Sequence, residues 1–140
     1  MNNQKILQKT EMFVEDSRMS TNNLNDALKE RHLFILQQNE YLHLEFDEIM
    51  WLEADGSYCI LYLSDKRKQI ISFPLATAQK ALPSAIFIRI SRFHIVNLRY
   101  IKKLIGNCFQ IDNKLLRIGR EYRESVLDHF IFLGGRNAPK

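Results

Sequence analysis

From Arg31 onward the apolar residues of this chain come in short runs, each closed by turn-forming residues, and no run is long enough for an extended helix. Runs at 33–36, 41–46, 49–53, 57–63 and 69–73 are separated by Gln37-Gln38-Asn39-Glu40, by Ala54-Asp55-Gly56 and by the polar stretch 64–68. Asp-Gly between two such runs is a strong hairpin signal, because glycine supplies the positive φ of a tight turn. Pro74 suits the first turn of a helix, and Leu75, Ala78, Gln79 and Leu82 recur at helical spacing before Pro83 stops them. Residues 86–90 read as extended, and 101–105, 108–111 and 115–118 as a closing meander with turns at Gly106-Asn107 and Asp112-Asn113. Tyr122, Val126, Leu127 and Phe130 predict an amphipathic helix over 120–130. The expected fold is therefore mostly β, with elongated antiparallel sheets, one short internal helix and a C-terminal helix.

Length and charge divide the chain. Residues 1–30 are polar, with scattered apolar groups at Met12, Phe13, Val14, Leu24, Ala27 and Leu28, and predict a tail with short helices. Residues 31–132 are expected to form the one folded domain and 133–140 a C-terminal tail. The net charge of +4 conceals a segregation: up to Asp55 there are 5 basic and 11 acidic residues, whereas from Lys66 to Arg123 there are 13 basic residues against Asp112 and Glu121 alone. A basic field of that kind attracts a polyanion. The two cysteines, Cys59 and Cys108, lie in apolar runs without metal or redox spacing and are expected to be reduced, buried thiols. The start of the chain has no secretory signal, and its apolar runs fall far short of the roughly 18 residues of a membrane span. The expectation is a cytoplasmic protein with no membrane partner.

No enzyme constellation is present in the sequence. The five glycines, Gly56, Gly106, Gly119, Gly134 and Gly135, build no phosphate loop, and there is no nucleophile elbow. His32, His43, His94 and His129 lack metal-ligand spacing, and His94 beside Ile95 and Val96 reads as a half-buried, satisfied histidine. No catalytic residue, metal, cofactor or small-molecule substrate is expected. Helix-turn-helix recognition fits poorly too, since Arg89, Arg92, Arg99, Arg117 and Arg120 fall at strand ends and turns. Base reading by such a chain would come from loops.

Three blocks carry a resemblance. They are Asp47-Glu48-Ile49-Met50-Trp51-Leu52-Glu53-Ala54-Asp55-Gly56-Ser57-Tyr58; then Leu82-Pro83 followed by Phe87-Ile88-Arg89-Ile90-Ser91-Arg92-Phe93-His94-Ile95-Val96-Asn97-Leu98; and Ile118-Gly119-Arg120-Glu121-Tyr122-Arg123. In order and spacing they resemble the LytTR family of DNA-binding domains, the output domains of many response regulators. The resemblance covers about residues 31–132. It implies an elongated antiparallel fold whose loops enter successive major grooves of double-stranded DNA.

Carried over by position, the resemblance makes Arg92 and Arg120 the main base readers and the Gly56-Ser57-Tyr58 loop a third contact, with Ser91 beside Arg92. Arginine presents a rigid donor fork that suits guanine O6 and N7 or a phosphate. Arg123, Lys102 and Lys103 are expected to contact the backbone, which positions a protein without reading sequence. Asn97 is expected to pin a turn, and Arg89 to make either an ion pair or a DNA contact. The chain departs from the family pattern at Ser57 (Asn in the family), Ser91 (His), Phe93-His94 (Ser-Tyr), Gly119 (Ser) and Glu121 (Arg). These departures leave the expected fold intact and bear on the target sequence. Many relatives carry a phospho-receiver domain, which thirty N-terminal residues cannot hold, so phosphorylation in cis is not expected. The expected function is a transcription regulator, a homodimer on paired DNA half-sites, with residues 1–30 mediating self-association. The alternative is a protein-interaction module of the same fold, acting as inhibitor or co-regulator.

Overall fold

A computed structural model of the chain describes residues 31–135. The expectations for residues 1–30, and for the tail beyond 135, lie outside the described residues. The strands are β1 (His32–Gln37), β2 (Glu40–Glu45), β3 (Ile49–Asp55), β4 (Tyr58–Leu63), β5 (Lys68–Ile71), β6 (Phe87–Arg89), β7 (His94–Asn97), β8 (Ile101–Ile105), β9 (Cys108–Ile111) and β10 (Lys114–Arg117). The helices are α1 (Leu75–Ala81) and α2 (Arg123–Leu127). Every pairing is antiparallel, in a five-stranded sheet of order β5-β4-β3-β7-β6, a hairpin β1-β2 and a three-stranded meander β10-β9-β8. Among the described residues the expected mostly β fold, with one internal helix and one after the last strand, is thus observed.

The five-stranded sheet separates two cores. On one side Ile35, Leu44, Phe46, Ile49, Leu52, Leu61 and Ile95 pack with Leu75 and Ala78 of α1; on the other Met50, Trp51, Ile88, Val96, Phe109, Ile111 and Leu116 pack with Val126 of α2. Successive residues go to opposite cores, Phe87 and Ile95 to the first and Ile88 and Val96 to the second, as strand geometry requires. Strand β3 departs from this alternation. The register against β4 shifts between Ile49 and Trp51, a bulge that lets Met50 and Trp51 both face the second core before Leu52 returns to the first. The Trp51 ring stacks on Tyr62 with centroids 4.4 Å apart.

Three sequence expectations are corrected here. Residues 94–97, not assigned to a strand, form β7, which lies between β3 and β6. The helix expected over 120–130 is a 3-10 turn at Arg120–Tyr122 followed by α2 of 5 residues. The chain still coils, but the bonds of His129 to Val126 and Phe130 to Leu127 tighten its end, so Tyr122, Val126 and Phe130 meet the second core without a continuous α-helix. Cys59 is buried but Cys108 only half-buried, because it pairs with exposed Arg117 near the β8–β9 tip. Burial pushes the Cys59 thiol up to about 11, with a smaller opposing pull from Arg89. Among the described residues no helix is long and apolar enough to cross a membrane.

Candidate nucleic-acid interface

Strand register brings the three sequence blocks to one end of the five-stranded sheet. Asp55 pairs with Tyr58 across a two-residue turn in which Gly56 takes φ +65°, so Gly56, Ser57 and Tyr58 form the exposed tip of the β3–β4 hairpin. Glu53 pairs with His94 and Arg89 with Ile95, which puts the β6–β7 bend, residues 90–93, beside that tip. The Ala54 amide donates to the Phe93 carbonyl at 2.9 Å, and the Gly119 amide to the Ile90 carbonyl at 2.8 Å. The second bond attaches the turn that carries Arg120 to the bend that carries Arg92.

The approach at Gly119 is close. A Cβ there would meet Tyr122 at 3.2 Å and the Cα and Cβ of Ser91 at 3.4 Å. Between the two loops is an open cleft of about 280 Å³ lined by Ser91, Arg92, Phe93, His94, Arg117, Gly119 and Glu121. Arg92 and Arg120 are exposed, and among the described residues neither makes an ion pair within 4.0 Å. The Arg92 guanidinium carbon lies 5.3 Å from the centre of the exposed Phe93 ring, a cation–π contact.

The bend is internally bonded. Ser91 is 7% exposed, and its Oγ accepts from the amides of Phe93 at 3.0 Å and His94 at 3.1 Å. The Ser91 hydroxyl is thus turned into the bend and shapes the loop beside Arg92. Of the two interactions expected of Arg89, an ion pair is not formed among the described residues. It donates to the carbonyls of Ser91 and Arg92 and to the Gln79 side chain. Asn97 pins a turn as expected: fully buried, it donates to the carbonyls of Phe46 and Ile49 and accepts from the Arg99 amide. His94 contacts Glu53 at 3.2 Å, and its pKa is lowered by burial, against the opposing pull of that carboxylate.

The remaining expected contacts divide. Arg123 bonds the Asn107 side chain at the β8–β9 tip, and the Ile118 amide donates to the Asn107 carbonyl, so Arg123 belongs to the same end of the molecule. Lys102 and Lys103 are exposed on β8, but Lys102 lies toward the opposite end of the meander, near Asp112. The Asp112 carboxyl is held below its usual range, first by its hydrogen bond from Lys66. The structure thus separates Lys102 from the arginines that the sequence groups it with. It also adds Arg117, exposed on the cleft, whose position at the end of β10 and just before Arg120 was the available signal. His32 and His43 meet at 3.0 Å across β1–β2, but among the described residues no third ligating group joins them.

The profile of the LytTr DNA-binding domain matches residues 39–127, which include all three loops. The chain belongs to the LytTR DNA-binding domain family. The LytTr DNA-binding domain of a putative methyl-accepting/DNA response regulator from Bacillus cereus superposes with a TM-score of 0.59 at 20% identity, over 71% of this chain and 95% of that one, and shares the fold. The heme-containing CO-sensing transcriptional regulator RcoM 1 of Paraburkholderia xenovorans (strain LB400) is 28% identical over 99 residues. That similarity covers 69% of this chain but 36% of the relative's length.

Proposed function

We propose that this LytTR domain is the DNA-reading part of a transcription regulator and recognises a specific duplex sequence through the loops at one end of its central sheet. The observation that carries this reading is the bonding of the Arg120 turn to the Arg92 bend with both guanidiniums exposed. Arg92 and Arg120 read base edges, and the Gly56-Ser57-Tyr58 tip supplies a third contact. Arg123 and Arg117 contact phosphates beside them. Lys102 and Lys103 contact the backbone farther along the duplex. Ser91 acts through the shape of the bend. Two copies occupy half-sites whose centres are separated by about one helical turn, roughly 34–36 Å.

A selection from random duplex DNA, with the enriched site followed by fluorescence anisotropy across a salt series, tests the reading. A defined motif, bound with an affinity that falls steeply with salt, is expected. Weak binding without enrichment would favour the second reading, a protein-interaction module of the same fold. The observation on that side is the outer face of β1–β2, where Phe34 is 63%, Leu36 57% and Tyr41 65% exposed. Exposed apolar side chains grouped in this way are typical of partner surfaces.

A further inference from the structure

The β6–β7 bend is held by a side chain outside it. Arg89, the last residue of β6, curls forward so that Nε donates to the Ser91 carbonyl at 2.7 Å and Nη2 to the Arg92 carbonyl at 3.0 Å. Its remaining terminal nitrogen, Nη1, donates to Oε1 of Gln79 on α1 at 2.6 Å, and the guanidinium carbon lies 6.0 Å from the centre of the Tyr122 ring. All three guanidinium nitrogens are therefore engaged within the protein. Among the described residues no carboxylate lies within 4.0 Å of the group.

We propose that Arg89 is a positioning residue for DNA recognition: its planar fork gathers the carbonyls of Ser91 and Arg92 beneath the bend and thereby sets the direction in which Arg92 leaves it. The proposal rests on the reading of Arg92 as a base contact. Backbone polar groups need partners, and the bend has few free ones. Its amides at Phe93 and His94 bond Ser91 Oγ, the Phe93 carbonyl accepts from Ala54, and the Ile90 carbonyl accepts from Gly119. Arg89 supplies partners for the carbonyls of the two residues that these bonds leave out. Gln79 fixes the plane of the guanidinium from the helix behind it. A lysine could not substitute, because an ammonium is a point charge on a flexible stem and cannot hold two carbonyls and a side-chain amide in one plane.

The test uses the whole chain and four variants: Arg89→Gln, Arg89→Lys, Gln79→Ala and Arg92→Ala. In the free protein, amide exchange by NMR is expected to quicken at Phe93 and His94 by on the order of tenfold in both Arg89 variants, and by less in Gln79→Ala. The amides of Cys59 and Leu61 in β4 should exchange as in the parent. On duplex DNA, Arg89→Gln and Arg89→Lys should relax preference at the same base position as Arg92→Ala, with the parent's salt slope and affinity for random duplex. A residue of purely structural importance would lower thermal stability without altering which base is preferred. Unchanged exchange at Phe93 and His94 would overturn the proposal. So would equal weakening on specific and random duplex with a salt slope smaller by about one, which marks a direct phosphate contact. Should Arg89→Gln fail to fold, Arg89→Lys, which keeps the charge and removes the fork, decides the point, with Gln79→Ala at an exposed helix position as the milder comparison. If the parent protein shows no base preference, the DNA reading fails, and the exchange rates still establish whether Arg89 holds the bend.

Discussion

The Gly119 amide donates to the Ile90 carbonyl at 2.8 Å, and through this bond the Arg120 turn is attached to the Arg92 bend. Gly119 has φ −68° and ψ 145°, a conformation open to any residue. What restricts the site is the approach of Ser91 and Tyr122. Gly119→Val is expected to cost about 1–3 kcal/mol, the usual range for overpacking a close contact. Urea unfolding measures that cost, and a parent-like midpoint would show that the two loops separate freely.

Arg92→Ala and Arg120→Ala should each weaken binding to the selected duplex by ~1–3 kcal/mol and relax preference at one base position. Lys103→Ala should weaken all sequences about equally. Anisotropy titrations on matched specific and random duplexes separate the two behaviours. Uniform losses for the arginine variants would make them phosphate contacts.

Asn97→Ala should be among the most destabilising single changes in the domain. It leaves the carbonyls of Phe46 and Ile49 without this donor at a site that is 0% exposed. An unsatisfied buried group costs about 1–3 kcal/mol, so a loss of roughly 2–4 kcal/mol is expected in denaturant titration.

His94 gives a pH dependence of stability. Its pKa is lowered in the folded state, chiefly by burial, so the unfolded chain binds this proton more readily. The contribution of His94 is complete above the ordinary histidine value of 6.5, declines as pH falls below it, and levels off below the folded value. Urea midpoints at pH 7.5 and 5.5 should differ more for the parent than for His94→Gln. Equal differences would assign the pH dependence to other groups.

The cysteines should label unequally. Cys59, buried and with its thiol pushed up to about 11, should resist iodoacetamide at pH 8, while half-buried Cys108 reacts. Intact mass is expected to show one adduct in the native protein and two in denaturant. Two native adducts would mean that β4 opens readily.

The hairpins and meander were legible in the sequence because turn residues and strand alternation report on one another. Strand β7 was not, because Ile95 and Val96 are buried on opposite faces of a central strand and leave no alternation to detect. The periodicity of Tyr122, Val126 and Phe130 identified the right face but could not distinguish a continuous helix from a 3-10 turn joined to a short one. At the candidate interface, sequence blocks located the loops. The roles of Arg89 and Ser91 depend on where carbonyls and amides point after the bend closes, and the place of Lys102 depends on which end of a meander faces the arginines. Neither is encoded in local spacing.

The tips of this domain are exposed, while the sheet that carries them is buried on both faces along β3 and β7. Substitutions at Ser57, Arg92 or Arg120 remove little from either core. The surface at these tips can therefore change residue by residue with little demand on the packing beneath, whereas Arg89, Asn97 and Gly119, each held by bonds or close contacts to other elements, leave less room for change.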